Sequence, residues 1–236
     1  MYDYQEACPV SKAASILGER WTIQIIREML FGASRFSELQ KYLPRMSPSL
    51  LNTRLRMLEE RGIILRKKIP EKKGYEYLLT PAGKALKPIL MELGKWGMQQ
   101  AFDELDPSQL NLSTIIRDFA CALHIDQLPA GDTSIQFTVN GAAEPVKKFI
   151  LVRGSSAQVC DENLGTEVDV YLTADLTTLG RIWFGEISPQ AACELNILTV
   201  VGNQFYKQNL SKWLGTSQFA PYNVNARLGA DSTPTA

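Results

Sequence analysis

The sequence predicts an α+β protein with two domains, and three observations support this prediction. Short runs with helical apolar spacing fill the first third of the chain and lead into two strand-like runs. An acidic segment ending in proline, 103–107, then interrupts the pattern. Beyond it, strand-like and helical runs alternate, as expected for one sheet covered by helices. We place the domains at residues 1–104 and 105–220, followed by a flexible tail at 221–236.

The first sixty residues are predicted to form four helices. Residues 8–17 start with a Cys-Pro pair and carry apolar side chains at helical spacing. Residues 21–31 are strongly apolar and predict a core helix, and residues 34–42 form a short third helix before Pro44.

The fourth helix, 47–61, has the clearest start and stop signals. Ser47 is a typical N-cap residue, the following proline suits the first helical position, and Gly62 suits the stop. Three leucines at positions i, i+4 and i+7 form a core stripe. The opposite face is polar and carries Ser49, Asn52, Thr53, Arg56 and Glu60.

Two strand-like runs, 63–69 and 75–80, follow the fourth helix. The turn between them contains Lys72 and Lys73, and Lys67 lies in the first run. A short helix, a turn, a second helix with a polar outer face and a basic hairpin together make a winged helix. In that fold the helix enters the major groove of DNA, and the wing reaches phosphate or the minor groove.

The zero net charge of the chain hides an asymmetry between its two halves. Residues 1–104 hold 17 basic and 12 acidic side chains, whereas residues 105–236 hold 8 and 13. Within residues 35–73 there are 11 basic and 4 acidic side chains, a net charge of +7. A basic block of this kind is typical of a polyanion-binding surface.

Three separated motifs within residues 8–100 resemble the HxlR-type winged-helix transcriptional regulators, relatives of the MarR group. The motifs are CPVSKAASILGERWTIQIIREMLFGASRFSELQ, SPSLLNTRLRMLEERGII and YEYLLTPAGKAL with a following tryptophan, Trp96. The resemblance implies a homodimer that binds double-stranded DNA, with the dimer contact made by the first helix and the helix after the wing. The wing loop departs from the family's frequent proline-rich turn, and the long C-terminal extension implies an added function.

The helix after the wing is predicted to run from Pro81 to about residue 102, with a kink at Pro88. Its broad apolar stripe includes Trp96, and together with the resemblance it suggests a subunit interface. The C-terminal half is predicted to contain helices at 112–123, 176–183 and 202–214 and strands at 135–139, 148–152, 158–160, 167–173 and 195–200.

The C-terminal segment resembles the sterol-carrier-protein-2 domains over about residues 108–220. The resemblance rests on the order of strands and helices and on an acidic helix cap at Asp175. It implies an apolar pocket for a lipid-like small molecule, and plain core packing is the alternative role for each of its aromatic residues. The candidate lining residues are Phe137, Phe149, Trp183, Phe184, Phe205 and Trp213.

No catalytic constellation, metal-ligand spacing or phosphate-binding loop is recognisable, so we expect neither an enzyme nor a bound cofactor. The start of the chain lacks the apolar core of a signal peptide, and no apolar run is long enough to span a membrane, which predicts a cytoplasmic protein. Cys8 stands at the start of the first helix, where partial positive charge favours a thiolate. The resemblance implies a redox-sensor role for it, and a packing role at the dimer contact is the alternative.

The sequence therefore predicts a homodimeric, DNA-binding regulator that an apolar small molecule modulates through the C-terminal domain. We expect an inverted-repeat operator with half-sites about 34 Å apart or a multiple of that distance. Asn52 and Arg56 are expected to read bases, because amide and guanidinium donors suit adenine and guanine edges. The alternatives are a small-molecule carrier or interaction module with a vestigial winged helix, and a thiol-based repressor that uses Cys8.

Overall fold

The computed structural model describes residues 4–70, 74–103, 105–141, 144–163 and 165–224. One compact unit ends at Gly94 and the second begins at Lys95, so the division falls inside a helix. It lies ten residues before the predicted boundary at 104/105, because the end of that helix joins the second unit. There the ring centroids of Phe102 and Phe184 are 4.8 Å apart. No helix in the described ranges combines the length and the apolar character that a membrane crossing requires.

The first unit consists of helices followed by a two-stranded antiparallel hairpin. Its buried core gathers one apolar side from each of three helices, including Ile25, Leu39 and Leu55. The elements, in chain order, are α1 (Pro9–Leu17), α2 (Thr22–Leu30), α3 (Phe36–Tyr42), α4 (Pro48–Glu60), β1 (Ile64–Lys68), β2 (Tyr75–Leu79), α5 (Pro81–Lys84) and α6 (Lys87–Gln100).

The hairpin is tied to the helices by backbone hydrogen bonds that local sequence patterns do not reveal. The Tyr77 N–H donates to the Ser34 carbonyl at 2.7 Å, and Arg35 forms a bridge with Glu76. The residues before α3 therefore extend the hairpin as a short third strand. This contact fixes the hairpin against the helical core, where the Tyr77 ring is buried.

The long helix predicted after the wing is in fact two helices, because the chain breaks between Lys84 and Lys87. Thr80 caps α5, and its hydroxyl also donates to the Gly62 carbonyl at 2.7 Å. Pro88 is the second residue of α6, where its missing N–H costs no helical hydrogen bond. The predicted kink at Pro88 is therefore wrong, and the proline lies in the first turn of a new helix.

The second unit consists of a five-stranded mixed sheet with helices packed on one face. The strand order is β5-β4-β3-β6-β7, and only the central β3–β6 pair is parallel. The elements are α7 (Leu112–Ala122), β3 (Thr133–Asn140), β4 (Val146–Arg153), β5 (Ser156–Cys160), β6 (Val170–Asp175), α8 (Leu176–Trp183), α9 (Pro189–Glu194), β7 (Thr199–Gly202), α10 (Gln204–Gln208) and α11 (Leu210–Trp213).

The core of the second unit lies between the sheet and the helices. Alternate strand residues such as Ile135, Phe137 and Leu172 face helices α7 and α8 within it. Asp175 caps α8, as predicted, by accepting a hydrogen bond from the Thr178 N–H at 2.6 Å. The strands of this sheet agree with the predicted runs to within a few residues, except for the last one.

Three predictions for the end of the chain are wrong. The run 195–200 is not a strand throughout, because helix α9 ends at Glu194 and β7 begins only at Thr199. The predicted helix 202–214 is broken into α10 and α11. Residues 221–224 are not a flexible tail, because Asn223 is buried and its side chain donates to the Phe184 carbonyl at 3.0 Å.

The six aromatic residues predicted to line a pocket occupy different environments. Phe137 and Trp183 belong to the core, where the Phe119 ring contacts both. Trp213 is fully buried, and its indole N–H donates to the Tyr206 carbonyl at 2.9 Å. Phe184 packs against the core from its edge, whereas Phe149 lies on the opposite face of the sheet. Phe205 is 38 % exposed and lies outside this core, in contrast to the pocket-lining position predicted for it.

Candidate nucleic-acid interface

Helix α4 begins and ends where its sequence signals predict. The Ser47 hydroxyl accepts a hydrogen bond from the Leu50 N–H at 3.3 Å, which satisfies one of the free donors of the first turn. Pro48 is the first helical residue, and Gly62 follows with a left-handed φ of 67°. The helix is therefore 13 residues long, with a local start signal at one end and a local stop signal at the other.

The two faces of α4 differ sharply in burial. Leu51, Leu55 and Leu58 are at most 2 % exposed and anchor the helix in the core. On an ideal helix, the predicted DNA-facing residues fall within an arc of about 100° on the side away from this leucine stripe. Ser49, Asn52, Thr53 and Arg56 are all exposed there. The Thr53 hydroxyl donates to the Ser49 carbonyl at 3.1 Å, so it can offer only its acceptor lone pairs to a ligand.

The turn between α3 and α4 is fixed by its own contacts. The Gln40 side-chain amide donates to the Met46 carbonyl at 2.7 Å, and the Leu43 and Met46 side chains are buried beneath the turn. At the other end of α3, the Glu38 carboxylate accepts hydrogen bonds from the backbone N–H groups of Ser34 and Arg35 at 2.8 and 2.9 Å. The two helices therefore form a preorganised helix-turn-helix with the polar arc of α4 on its surface.

The hairpin that follows α4 in the chain carries additional basic residues. Lys67 is exposed and pairs across the hairpin with Glu76. Lys72 and Lys73, the predicted wing-tip contacts, lie outside the described residues. Arg66, which is not among the predicted DNA contacts, has its guanidinium carbon 3.5 Å from the centroid of the Tyr75 ring. This cation–π contact fixes an exposed positive charge near the wing tip.

The alternation of the hairpin would have been sufficient to find Arg66. Strand residues separated by two lie on the same face, and Tyr75 pairs with Lys68 in the register. Arg66 and Tyr75 are therefore diagonal neighbours on one face of the hairpin. Long side chains can bridge the distance between such positions. The lysines of the hairpin stand out by charge alone, whereas Arg66 stands out only once the two strands are paired in this register.

The HxlR-like helix-turn-helix family matches residues 16–104 of the chain. The uncharacterized HTH-type transcriptional regulator YvaP of Bacillus subtilis is 44 % identical over 108 residues, which cover 45 % of this chain and 96 % of YvaP. This chain belongs to the HxlR-like helix-turn-helix family. The uncharacterized HTH-type regulator Rv3095 of Mycobacterium tuberculosis is 38 % identical over 120 residues, or 50 % of this chain and 71 % of that protein. The reduced form of the regulator YodB from B. subtilis aligns at 35 % identity with a TM-score of 0.37, covering 41 % of this chain and 96 % of YodB.

Within the HxlR-like unit and the helix that leaves it, three large apolar side chains of α6 are exposed to solvent. Ile89, Leu93 and Trp96 are 54 %, 45 % and 58 % exposed, although they recur at positions i, i+4 and i+7 of one helix. Val10, in the first turn of α1, is 75 % exposed. A stripe of this spacing normally packs against another element, whereas here it is exposed in a single chain.

Cys8 is exposed and immediately precedes α1. The thiol does not form a capping hydrogen bond of regular geometry. The nearby backbone N–H groups of Ser11 and Val10 nevertheless favour the thiolate and lower the pKa of Cys8 below its usual value. Partial desolvation by the surrounding protein has the opposite effect on Cys121 and Cys193 and raises the pKa of both thiols.

These opposite shifts predict the order in which the cysteines react. Because the thiolate is the nucleophile, iodoacetamide is expected to label Cys8 before Cys121 and Cys193 near neutral pH. The labelling rate of Cys8 should also rise at a lower pH than theirs, since its pKa is the lowered one. Peptide mass spectrometry after short pulses between pH 6 and 9 measures this order. Equal rates, or faster labelling of Cys193, would contradict the prediction.

Proposed function

We propose that this protein is a homodimeric DNA-binding transcriptional regulator that reads an inverted-repeat operator with helix α4, the recognition helix. The observation that carries this proposal is the exposed polar arc of α4 above a buried leucine stripe. Its Asn52 and Arg56 side chains offer donors that match adenine and guanine edges in the major groove. The named relatives are HTH-type transcriptional regulators, which supports the same assignment.

The exposed stripe of α6 supports the dimeric part of the proposal. Two copies that bury Ile89, Leu93 and Trp96 against each other would remove these side chains from water, a gain that scales with the apolar area buried. A two-fold dimer would also present two recognition helices to the two half-sites of an operator. The basic wing, with Lys67 and Arg66, would then contact phosphates on either side.

We propose that the second unit receives an apolar small molecule that modulates DNA binding. Its single mixed sheet with helices on one face agrees with the architecture expected from the resemblance to sterol-carrier-protein-2 domains. Because the Phe119 ring contacts those of both Phe137 and Trp183, a ligand among them requires these side chains to separate. Native mass spectrometry of the purified protein tests this role, and a dimer that neither carries nor takes up an acyl or aromatic compound would contradict it.

The test of the DNA-reading proposal compares two substitutions in the first unit. Arg56→Ala should weaken binding to a duplex selected from a random library by about 1–3 kcal/mol and relax discrimination at one base pair. Lys67→Ala should weaken the selected and a scrambled duplex alike and reduce the salt slope by about one unit per monomer. Fluorescence anisotropy titrations between 50 and 200 mM salt measure both effects.

Glu194→Gln, in the second unit, serves as the control for a change of surface charge. It should leave both affinities unchanged, because Glu194 lies on the acidic half of the chain and outside the proposed interface. If the wild-type protein binds the selected and the scrambled duplex equally, or if Arg56→Ala changes neither affinity, the DNA-reading proposal is wrong.

A second candidate function is a thiol-based repressor that uses Cys8, and the lowered pKa of this exposed thiol favours it. Oxidant should then weaken DNA binding by the wild type but not by Cys8→Ser. If oxidant changes DNA binding by the two proteins equally, Cys8 has a packing role instead.

A further inference from the structure

Arg54 joins the recognition helix to the turn between α1 and α2. Its Nε donates to the Arg20 carbonyl at 3.0 Å, and its Nη2 lies 2.8 Å from Oε2 of Glu19. The Arg54 and Glu19 side chains are only 17 % and 23 % exposed, so protein shields much of this ion pair from water. One planar guanidinium thus holds a carboxylate and a carbonyl together, a geometry that lysine does not reproduce.

The turn that Arg54 holds has an unfavourable backbone. Trp21 has a φ of 76°, in the left-handed region that costs free energy for a bulky residue. At the other end of the turn, a Cβ on Gly18 would lie 2.6 Å from the Ala14 carbonyl oxygen, so a larger residue does not fit. Strained turns persist only where the surrounding structure holds them. Arg54 supplies such a contact from 34 residues away in the chain.

Arg54 does not belong to the polar arc of the recognition helix. On an ideal helix it lies about 160° from both Asn52 and Arg56. Its contacts within the chain are to Glu19 and Arg20, whereas Asn52 and Arg56 are exposed. The rotation of α4 about its own axis decides which base edges these two side chains meet. A side chain that fixes α4 against the α1–α2 turn can therefore affect sequence reading without contacting DNA.

We propose that Arg54 is a positioning residue that sets the orientation of the recognition helix through Glu19 and the Arg20 carbonyl. This inference rests on the proposed DNA-reading function. It assigns Arg54 to sequence discrimination, although the residue carries the same charge as the phosphate-binding side chains of a DNA interface. The two roles predict opposite effects of Glu19→Gln: impaired discrimination between sequences if Arg54 positions α4, and stronger binding to all DNA if Arg54 contacts phosphate.

Glu19→Gln makes this distinction, because it removes the partner of Arg54 and leaves the arginine charge in place. If Arg54 positions α4, then Glu19→Gln and Arg54→Gln should both lower the affinity ratio between a library-selected and a scrambled duplex, by about tenfold. Arg54→Lys should retain only part of the ratio, and the double variant should resemble either single variant. If Arg54 instead contacts phosphate, Glu19→Gln should strengthen binding to both duplexes and steepen the salt dependence.

Anisotropy titrations of the full-length variants on both duplexes measure these ratios, and thermal melting reports their folding. Arg153→Gln, which breaks the exposed ion pair with Asp132 in the second unit, is the matched control and should keep the wild-type ratio. Should Arg54→Gln fail to fold, Glu19→Gln and Arg54→Lys decide the question. An unchanged or increased ratio in Glu19→Gln would overturn the positioning role. A wild-type protein that selects no sequence would instead contradict the proposed DNA-reading function, and the positioning role with it.

Discussion

Trp213→Ala is expected to destabilise the second unit by about 3–5 kcal/mol, the typical cost of removing a buried tryptophan side chain. Trp213 is fully buried, its ring packs edge-on against Tyr206, and its indole N–H donates to the Tyr206 carbonyl. The substitution therefore leaves a cavity and a buried carbonyl without its donor. Urea unfolding followed by circular dichroism measures the loss, and hydrogen exchange of peptides from the sheet assigns it to the second unit.

Phe205→Ala is the matched control, because Phe205 is an aromatic residue of the same unit that is 38 % exposed. It should cost less than about 1 kcal/mol, since surface substitutions rarely cost more. Equal losses in the two variants would show that Trp213 does not anchor the core as described. If the two units unfold independently, exchange in helices α2–α4 should be unaffected by Trp213→Ala.

Leu93→Lys should convert the protein to a monomer and lower its affinity for a two-half-site duplex by at least about 100-fold. A lysine in the exposed stripe of α6 would place two like charges at the proposed two-fold contact, where desolvation makes them costly. Loss of the dimer also removes the effective concentration that joins two half-site contacts, which is worth about 10²–10⁴-fold. Analytical ultracentrifugation and anisotropy on the same samples measure the two effects.

Leu195→Lys provides the comparison, because Leu195 is a leucine of the second unit that is 63 % exposed. It should leave both the dimer and the DNA affinity as they are in the wild type. If Leu93→Lys remains a dimer with full affinity, the α6 stripe is not the subunit contact.

Helix α4 was predictable from its sequence because all its determinants are local. The Ser47 cap, the proline after it, the leucine stripe and Gly62 lie within 16 residues and act through short-range geometry. The same Ser-Pro signal also starts α9, where the Ser188 hydroxyl accepts a hydrogen bond from the Ala191 N–H at 3.1 Å. No helix is predicted at the α9 position, although the local signal is the same. In fact Asn196, with a φ of 56°, separates α9 from β7.

The break after the wing could not be predicted in the same way. Proline is compatible both with a kinked helix and with the first turn of a new one. In the structure, α5 lies close to the residue before β1, because a Cβ at Gly83 would lie 2.3 Å from the Ile63 carbonyl oxygen. This contact joins residues 20 positions apart, so the spacing of apolar residues along the chain does not predict it. The Arg54 contacts with the α1–α2 turn were missed for the same reason.

The buried state of Asn223 is another long-range effect. Its side chain donates to the Phe184 carbonyl, 39 residues away, and holds the segment after α11 against the unit. Composition alone indicated a tail, since residues 215–224 lack apolar periodicity. Satisfying a buried backbone carbonyl requires only one correctly placed amide, and no sequence pattern marks it.

Hydroxyl-radical footprinting of the wild-type dimer on a library-selected duplex tests the central claim most directly, because it shows where on DNA the two recognition helices lie. We expect two protected patches related by a dyad in the DNA sequence, with centres about 34 Å apart or a multiple of that distance. Arg56→Ala should weaken protection in both patches equally. A single patch, or uniform protection without sequence preference, would contradict an operator read by paired α4 helices.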